Sequence, residues 1–349
     1  MPILSAQVLT ATVKNVFVAI GVEPHEATLV AEHLVEAELA GVSSHGIIRV
    51  KQYVRAIEEG KIVPNAKLKV VKETLSTAVL DGGHGFGQVM ARQAIDKAID
   101  IADRTGVGVA TLVNCGHTGR LGSYTEHATR RGKVGIVMVN AGGHGQWVAP
   151  FGGTAGRLST NPISIGVPSG EEFPLVLDIA TSAAPEGKIR AAVGAQSPIP
   201  QGWVTTHDGQ ATTNPADLYG PPRGALLPFG GHKGFGLAVM IDALAGGLSG
   251  AGCCHNADAP MDGKTDGALL MAISVESFLP LNLFADQVRD LIHHVKSSPP
   301  AMGCDEVVVP GEIEARRIAQ AARDGIALED AVWKDLLDIM GRLALDATT

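Results

Sequence analysis

The 349-residue chain is short of aromatic residues, at 4% of the total, and of cysteine, with four. Four cysteines do not make the disulfide framework of a small secreted domain, and no CxxC pair is present to hold zinc. Cys253 and Cys254 are adjacent, while Cys115 and Cys304 stand alone. Free thiols in a reducing compartment are therefore expected, with the cytoplasm as the default. Residues 1–14 lack a basic segment followed by an apolar run, so no signal peptide is evident. Positive charge is also scarce: 28 Lys and Arg against 36 Asp and Glu give a net charge of -8. That balance argues against a nucleic-acid partner or an anionic membrane surface. A small anionic substrate stays open if a local Arg or Lys receives it. Long apolar runs reduce to one, residues 234–252. Asp242 sits near its centre and glycines crowd its second half, so a buried core helix is expected there and not a membrane span.

Glycine, by contrast, is abundant at 43 residues. It follows no triplet period, which excludes a collagen-like chain, and an apolar content of 45% excludes a disordered one. The length suits two domains or one large α/β enzyme.

Three helices are expected in the first 60 residues. Ser5 can cap one running to about residue 20. A second begins near Pro24 with Leu29, Val30, Leu34, Val35 and Leu39 at helical spacing. A third covers residues 47–59 with Ile48, Tyr53 and Ile57 as its apolar stripe. None is stable alone, so they should pack together or on another subunit. Strands then alternate with helices: strands at 77–81, 107–113, 134–140, 163–167 and 173–178, and helices at 87–104 and 121–131. Residues 194–232, rich in Pro, Gly, Thr and Asp, read as a long ordered loop. The apolar helix follows, then a strand at 268–275, a helix at 283–295, a strand at 306–309 and helical chain from Gly311.

Familiar nucleotide fingerprints are missing. No glycine cluster has the G-x-G-x-x-G spacing, so a Rossmann phosphate loop has no support. Gly263-Lys264-Thr265 resembles the end of a P-loop, but Asp258 stands where the first glycine is needed. There is no H-E-x-x-H and no G-x-S-x-G, and none of the twelve histidines has a metal-ligand spacing, so no metal is expected. His293-His294 reads as a solvated helix face.

Three patterns carry chemistry. In Ser44-His45-Gly46-Ile47-Ile48-Arg49, with Tyr53 one turn further on, Arg49 and Tyr53 are four apart and share a helix face. A guanidinium fork and a phenol suit a carboxylate; a helix-end salt bridge with Tyr53 in the core is the alternative. In Asn114-Cys115-Gly116-His117-Thr118-Gly119-Arg120, His117 falls in a tight strand-to-helix loop. It can exchange a proton near neutrality there, or simply be satisfied by backbone bonds. In Gly231-His232-Lys233-Gly234, Lys233 opens the apolar helix and suits an anion or phosphate, or is merely solvated.

Together and in this order, these patterns resemble the second type of the malate/L-lactate dehydrogenase family. That family also includes ureidoglycolate, sulfolactate and general 2-hydroxycarboxylate dehydrogenases and cyclic-imine reductases. The resemblance rests on SHGIIRV from Ser44, GHTGRLG around His117, VAPFGG from Val148, STNP from Ser159 and LDIATS from Leu177. It continues through GWVTTHDGQATTNP from Gly202 and GGHKGFGLAVMIDALAGGLSGAG from Gly230, covering nearly the whole chain.

The resemblance implies an α/β (α+β) fold: a dinucleotide-binding sheet domain that is not a Rossmann domain, plus a helical domain made by the N- and C-terminal segments. Its boundaries would be 1–70, 71–309 and 310–349. It further implies a homodimer with active sites near the subunit interface, and a nicotinamide cofactor, NAD or NADP with NAD favoured. By the family pattern His117 matches the general base, and Arg49, His45 and Tyr53, with Ser44 beside them, match positions around a small carboxylate substrate. Asn140, Thr160, Asn161, Asp178, Ile179, Ala180, Lys233, Gly311, Glu312 and Ile313 match cofactor-side positions. Two departures stand out: Ser159 where members often have glycine, and a longer stretch at 141–147. In that stretch His144 and Trp147 are candidates for setting substrate choice, with a plain glycine-rich loop as the alternative. The expected reaction is reversible oxidation of a small 2-hydroxy acid; reduction of a cyclic imino acid and a catalytically silent binding protein are the competing readings.

Overall fold

A computed structural model describes residues 1–141, 145–255 and 266–346. His144 and the 263–265 Gly-Lys-Thr lie outside them. Strand β1 (Ile3–Leu4) leads into helix α1 (Ala6–Ala19), where Ser5 Oγ accepts from the Val8 amide at 3.2 Å, as expected of its cap. Pro24 opens α2 (Pro24–Leu39), and α3 spans Arg49–Glu58 after a tight turn at Ser43–His45. Leu9, Val13, Val16 and Phe17 of α1 join Val30, Ala31, Leu34 and Val35 of α2 in one core, so α2 buries much of the stripe its spacing marked out. In α3 Tyr53 is buried as expected, but Ile48 lies just before the helix and is 49% exposed.

The alternating region follows as β2 (Lys69–Glu73), β3 (Thr77–Gly85), α4 (Gly87–Thr105), β4 (Val107–Cys115), α5 (Gly122–Arg130), β5 (Lys133–Asn140), β6 (Ile163–Val167) and β7 (Leu175–Ile179). The Pro- and Gly-rich stretch is more ordered than a loop. It carries strands β8 (Val204–Thr205), β9 (Ala211–Thr212) and β10 (Ala225–Leu226) in a three-stranded sheet, and helix α6 (Glu186–Gly194), not expected from the sequence, leads into it. Only Ile189 of α6 is buried, which is why no helical stripe showed in its sequence. Val148, Ile189, Val204, Leu218, Leu226 and Ala238 form a second, smaller core beneath these strands.

Helix α7 (His232–Ile241) passes into a π-helical turn at Asp242–Gly247. It is not the fully buried helix expected. Gly234, Ala238 and Ile241 face inward, but Met240 is 57% and Leu248 61% exposed. No helix among the described residues is long and apolar enough to cross a membrane. The chain closes with β11 (Asp266–Ser274), α8 (Leu281–Lys296), α9 (Glu312–Asp324), β12 (Ile326–Ala327) and α10 (Asp330–Arg342). Residues 306–309 do not form the expected strand. Glu306 instead pairs with Arg316, and the Val309 amide donates to Glu312 Oε2. The segment after Gly311 is also not wholly helical, because β12 pairs antiparallel with β1.

The main sheet has seven strands in the order β2-β3-β4-β11-β5-β6-β7. Only β3 and β4 run parallel; every other neighbour is antiparallel. The late strand β11 inserts between β4 and β5 and sets its first residues against their last ones: Asp266 opposite Cys115 and Gly267 opposite Asn140. The main core runs from the N-terminal helices through α4 and this sheet to Leu336, Ile339 and Met340 of α10. Lys51–Asp335 at 2.7 Å and Arg342–Glu58 at 2.8 Å tie α10 to α3.

Candidate active site

The loop after β4 is held by its backbone. Asn114 takes a left-handed conformation (φ +55°), which asparagine tolerates better than most residues, and turns the chain out of the strand. The Gly116 amide donates to Gly85 O at 2.9 Å, the Thr118 amide to Asp266 Oδ2 at 3.2 Å and the Arg120 amide to His33 Nε2 at 3.0 Å. Tyr124 Oη donates to Thr118 O. Helix α4 presses against the same loop. A Cβ on Gly87 would stand 2.1 Å from Gly116 O and 2.3 Å from His117 O, so only glycine fits there.

His117, fixed in this loop, meets the first pattern in space. Tyr53 Oη lies 2.7 Å from His117 Nδ1, and Gln88 Nε2 donates to the same phenol oxygen at 2.6 Å. His45 stacks on His117 with ring centroids 5.3 Å apart and planes at 24°. Ser44 Oγ is 2.9 Å from His45 Nδ1. Arg49, the first residue of α3, donates from Nε to Ser44 O at 2.7 Å and from Nη1 to Gln52 Oε1 at 2.6 Å. It has no carboxylate partner among the described residues, so the helix-end salt bridge does not form. His117 Nε2 likewise has no protein partner among them. The five residues singled out in sequence thus form one cluster, with one ring nitrogen and the remaining N–H groups of one guanidinium without a partner among the described residues.

Electrostatics keep the cluster's imidazoles neutral. Burial, with Arg49 and His45 adding to it, holds His117 well below the usual histidine range. Burial and Arg49 bring His45 down to about 4, and burial and Arg120 bring His33 to about 3. Burial raises Asp266 to about 7 against the opposing Thr118 bonds, and keeps the Tyr53 phenol protonated.

The remaining expected positions fall into separate groups. Asn140 and Asn161 meet at buried Asp242, donating to its Oδ1 at 3.3 and 3.2 Å; Asn140 also donates to Gly252 O and Asn161 to Ala238 O, both at 2.9 Å. Their amide groups are thereby engaged within the protein. Thr160 takes part through its carbonyl, which accepts from the Thr181 amide and hydroxyl. Asp178, beside Ile179 at the end of β7 and followed by Ala180, accepts from the Gly122 amide at 2.7 Å; burial pushes its carboxyl up to about 6. Gly311 (φ +88°) packs against β7, where an added Cβ would lie 2.9 Å from Pro174 O. Glu312 is buried in ion pairs with Lys296 and Arg316, while Ile313 is exposed. Lys233 is exposed in the first turn of α7, with no ion-pair partner among the described residues.

Sequence reading did not pick out Gln88, Asp266, His33 or the structural use of Asp242. Gln88 left a trace: it is a polar residue in a run of buried Phe86, Gly87, Val89 and Met90. Asp266 and His33 left none, because their partners come from distant segments. Helix α6 was also missed at its approach to the cluster, where an added Cβ on Gly187 would lie 3.5 Å from Ser44 Cβ. No group of three or more metal-ligating side chains occurs among the described residues.

The family profile described as malate/L-lactate dehydrogenase matches residues 4–337. The chain is 38% identical over 328 residues to L-sulfolactate dehydrogenase of Methanocaldococcus jannaschii, covering 93% of each. A solved structure of sulfolactate dehydrogenase from that organism superimposes with a TM-score of 0.89 at 36% identity, over 99% of this chain and 98% of the other. Hydroxycarboxylate dehydrogenase B of Escherichia coli O157:H7 is 36% identical over 346 residues, 99% of this chain and 95% of that one. A more distant structure, delta1-piperideine-2-carboxylate reductase from Pseudomonas syringae, gives a TM-score of 0.85 at 27% identity, over 97% and 100% of the two chains.

Proposed function

This chain belongs to the malate/L-lactate dehydrogenase family, and on that premise we propose that it interconverts a small 2-hydroxy acid and its 2-oxo acid, with His117 as general base. The observation that carries the assignment is the cluster itself. A neutral imidazole is held through Nδ1 by Tyr53 with Nε2 unpartnered, next to an Arg49 that has no carboxylate. Arg49 fixes the substrate carboxylate through the part of its fork that Ser44 and Gln52 leave over. His117 Nε2 takes the hydroxyl proton, and the resulting imidazolium returns it in the reverse direction. His45 covers one face of the His117 ring and limits water there, and Ser44 fixes the His45 ring.

The donor set suits a nicotinamide dinucleotide. Lys233 offers an ammonium without an ion-pair partner among the described residues, at a helix N-terminus, for the diphosphate, where Gly230 and Gly231 both turn through positive φ. The reading also assigns to the cofactor side the Asp178–Ala180 segment with the Gly311–Ile313 turn that packs on β7, and Asn140, Thr160 and Asn161, which are held through Asp242 and Thr181. A dinucleotide bound there would supply the hydride donor or acceptor for the substrate's C2. Five antiparallel neighbours in the seven-stranded sheet support a binding mode other than the Rossmann one. NAD is favoured over NADP. The reading also carries a homodimer, consistent with the apolar side chains that α7 leaves exposed.

The test is consumption of NADH or NADPH by the purified protein over a panel of 2-oxo acids, with one cyclic imino acid beside them. Turnover with an oxo acid is expected. Turnover only with the imine would replace this reading by the reductase one, which the piperideine-2-carboxylate reductase neighbour keeps in play.

A further inference from the structure

Buried Gln88 is 3% exposed, and only one end of its carboxamide is bonded. Nε2 donates to Tyr53 Oη, while Oε1 has no protein partner among the described residues. Tyr53, 1% exposed, has one hydroxyl proton and two neighbours, Gln88 and His117 Nδ1. Donor counting then fixes the rest. With the Gln88 amide donating to the phenol oxygen, the phenol's own proton goes to His117 Nδ1. A neutral His117 must in that case carry its proton on Nε2, where it can donate to a substrate but cannot accept from one. If the carboxamide turns end for end, Oε1 accepts the phenol proton. The phenol oxygen then accepts from Nδ1–H, and Nε2 presents a lone pair. The imidazolium, protonated at both nitrogens, favours this second arrangement, because in the first one the phenol proton would be left without an acceptor.

We propose that Gln88 is a positioning residue that sets the tautomer of His117: amide toward Tyr53 holds the base off, carbonyl toward Tyr53 turns it on. This rests on the reading of His117 as the base. The surroundings permit both orientations. Gln88 lines a polar cavity of about 50 Å³ with Glu32, His33, Glu36, Arg92 and Ser123, which has room for water to serve whichever end faces away from the phenol. Arg92 Nε is a second buried atom there without a hydrogen-bond partner among the described residues. No proton crosses Gln88 itself; it selects which nitrogen of His117 is loaded.

Two variants separate this from plain packing. Gln88→Met keeps the length and removes donor and acceptor alike, so Tyr53 donates to Nδ1 and the base stays off. The expected loss in kcat for alcohol oxidation is about 10-fold or more, with cofactor affinity unchanged. Gln88→Glu, once ionised, can only accept. It should retain oxidation in the alkaline range and move the acid limb of the kcat/KM profile to higher pH, because its charge favours the imidazolium. The ¹⁵N shifts of His117 read the tautomer without turnover: Nε2–H in Gln88→Met, Nδ1–H in alkaline Gln88→Glu. Identical tautomers and pH profiles in the two variants would overturn the proposal while His117→Asn still abolished activity. Full activity in His117→Asn would instead overturn the underlying assignment of the base.

Discussion

Replacing Tyr53 by Phe removes one oxygen and leaves the rest of the site in place. The ring still packs edge-on to Phe86, with centroids 6.2 Å apart and planes at 78°, so little apolar burial is lost. Two hydrogen bonds disappear, from Gln88 Nε2 at 2.6 Å and with His117 Nδ1 at 2.7 Å. At about 1 kcal/mol net each, their loss costs about 2 kcal/mol. Gln88, whose Oε1 already has no protein partner among the described residues, would then have none among them at either end. That unmet desolvation brings the total to about 2–4 kcal/mol. The urea midpoint should fall with an unchanged slope, since the surface exposed on unfolding is the same. His117 loses the partner that orients its ring, so kcat should fall by about 10–100-fold while cofactor affinity holds. Wild-type kcat and midpoint in Tyr53→Phe would refute the role given to the Tyr53 hydroxyl.

Arg49→Lys should raise KM for the acid by about 10-fold or more with a smaller change in kcat, because an ammonium cannot reproduce the fork; an unchanged KM removes Arg49 from the carboxylate site. Gly87→Ala drives a Cβ into Gly116 O and His117 O and should cost about 2 kcal/mol or more together with activity, read by thermal melting and initial rates. His33 has a native pKa of about 3, so the folded state binds fewer protons than the unfolded one from pH 6.5 downward, and stability is lost as pH falls through that window. At pH 5 this amounts to about 2 kcal/mol, so wild type should lose that much more between pH 8 and 5 than His33→Gln does; equal losses in urea melts would contradict it. Neutral His117 is the form that accepts the alcohol proton, so kcat/KM for oxidation should stay level through pH 6.5 and fall only below it. A midpoint at or above 6.5 would count against His117.

Local periodicity located most of the long elements, because α1, α2, α4 and α8 each bury one face of a helix. It failed where tertiary partners decide. Lys69–Glu73 became a strand only by pairing with β3 along an exposed edge, and residues 306–309, β-branched as they are, stayed out of the sheet because Glu306 and Val309 are engaged by α9. Within the site, Arg49, Tyr53 and His117 were visible from residue type and spacing. Their meeting was not, since 64 residues separate Tyr53 from His117. Asp266 was silent for the same reason: its place beside the His117 loop exists only because β11 inserts between β4 and β5. The glycines around His117 proved informative in a way that spacing searches miss. Gly87 marks a close approach of helix to loop, not a phosphate cradle.

The most direct test of the account compares wild type and His117→Asn on the oxo acid that wild type reduces, measuring kcat from nicotinamide absorbance and cofactor affinity from fluorescence. With His117 as the base, kcat should fall about 10²-fold or more while cofactor affinity is kept. Near-wild-type turnover in His117→Asn would contradict it.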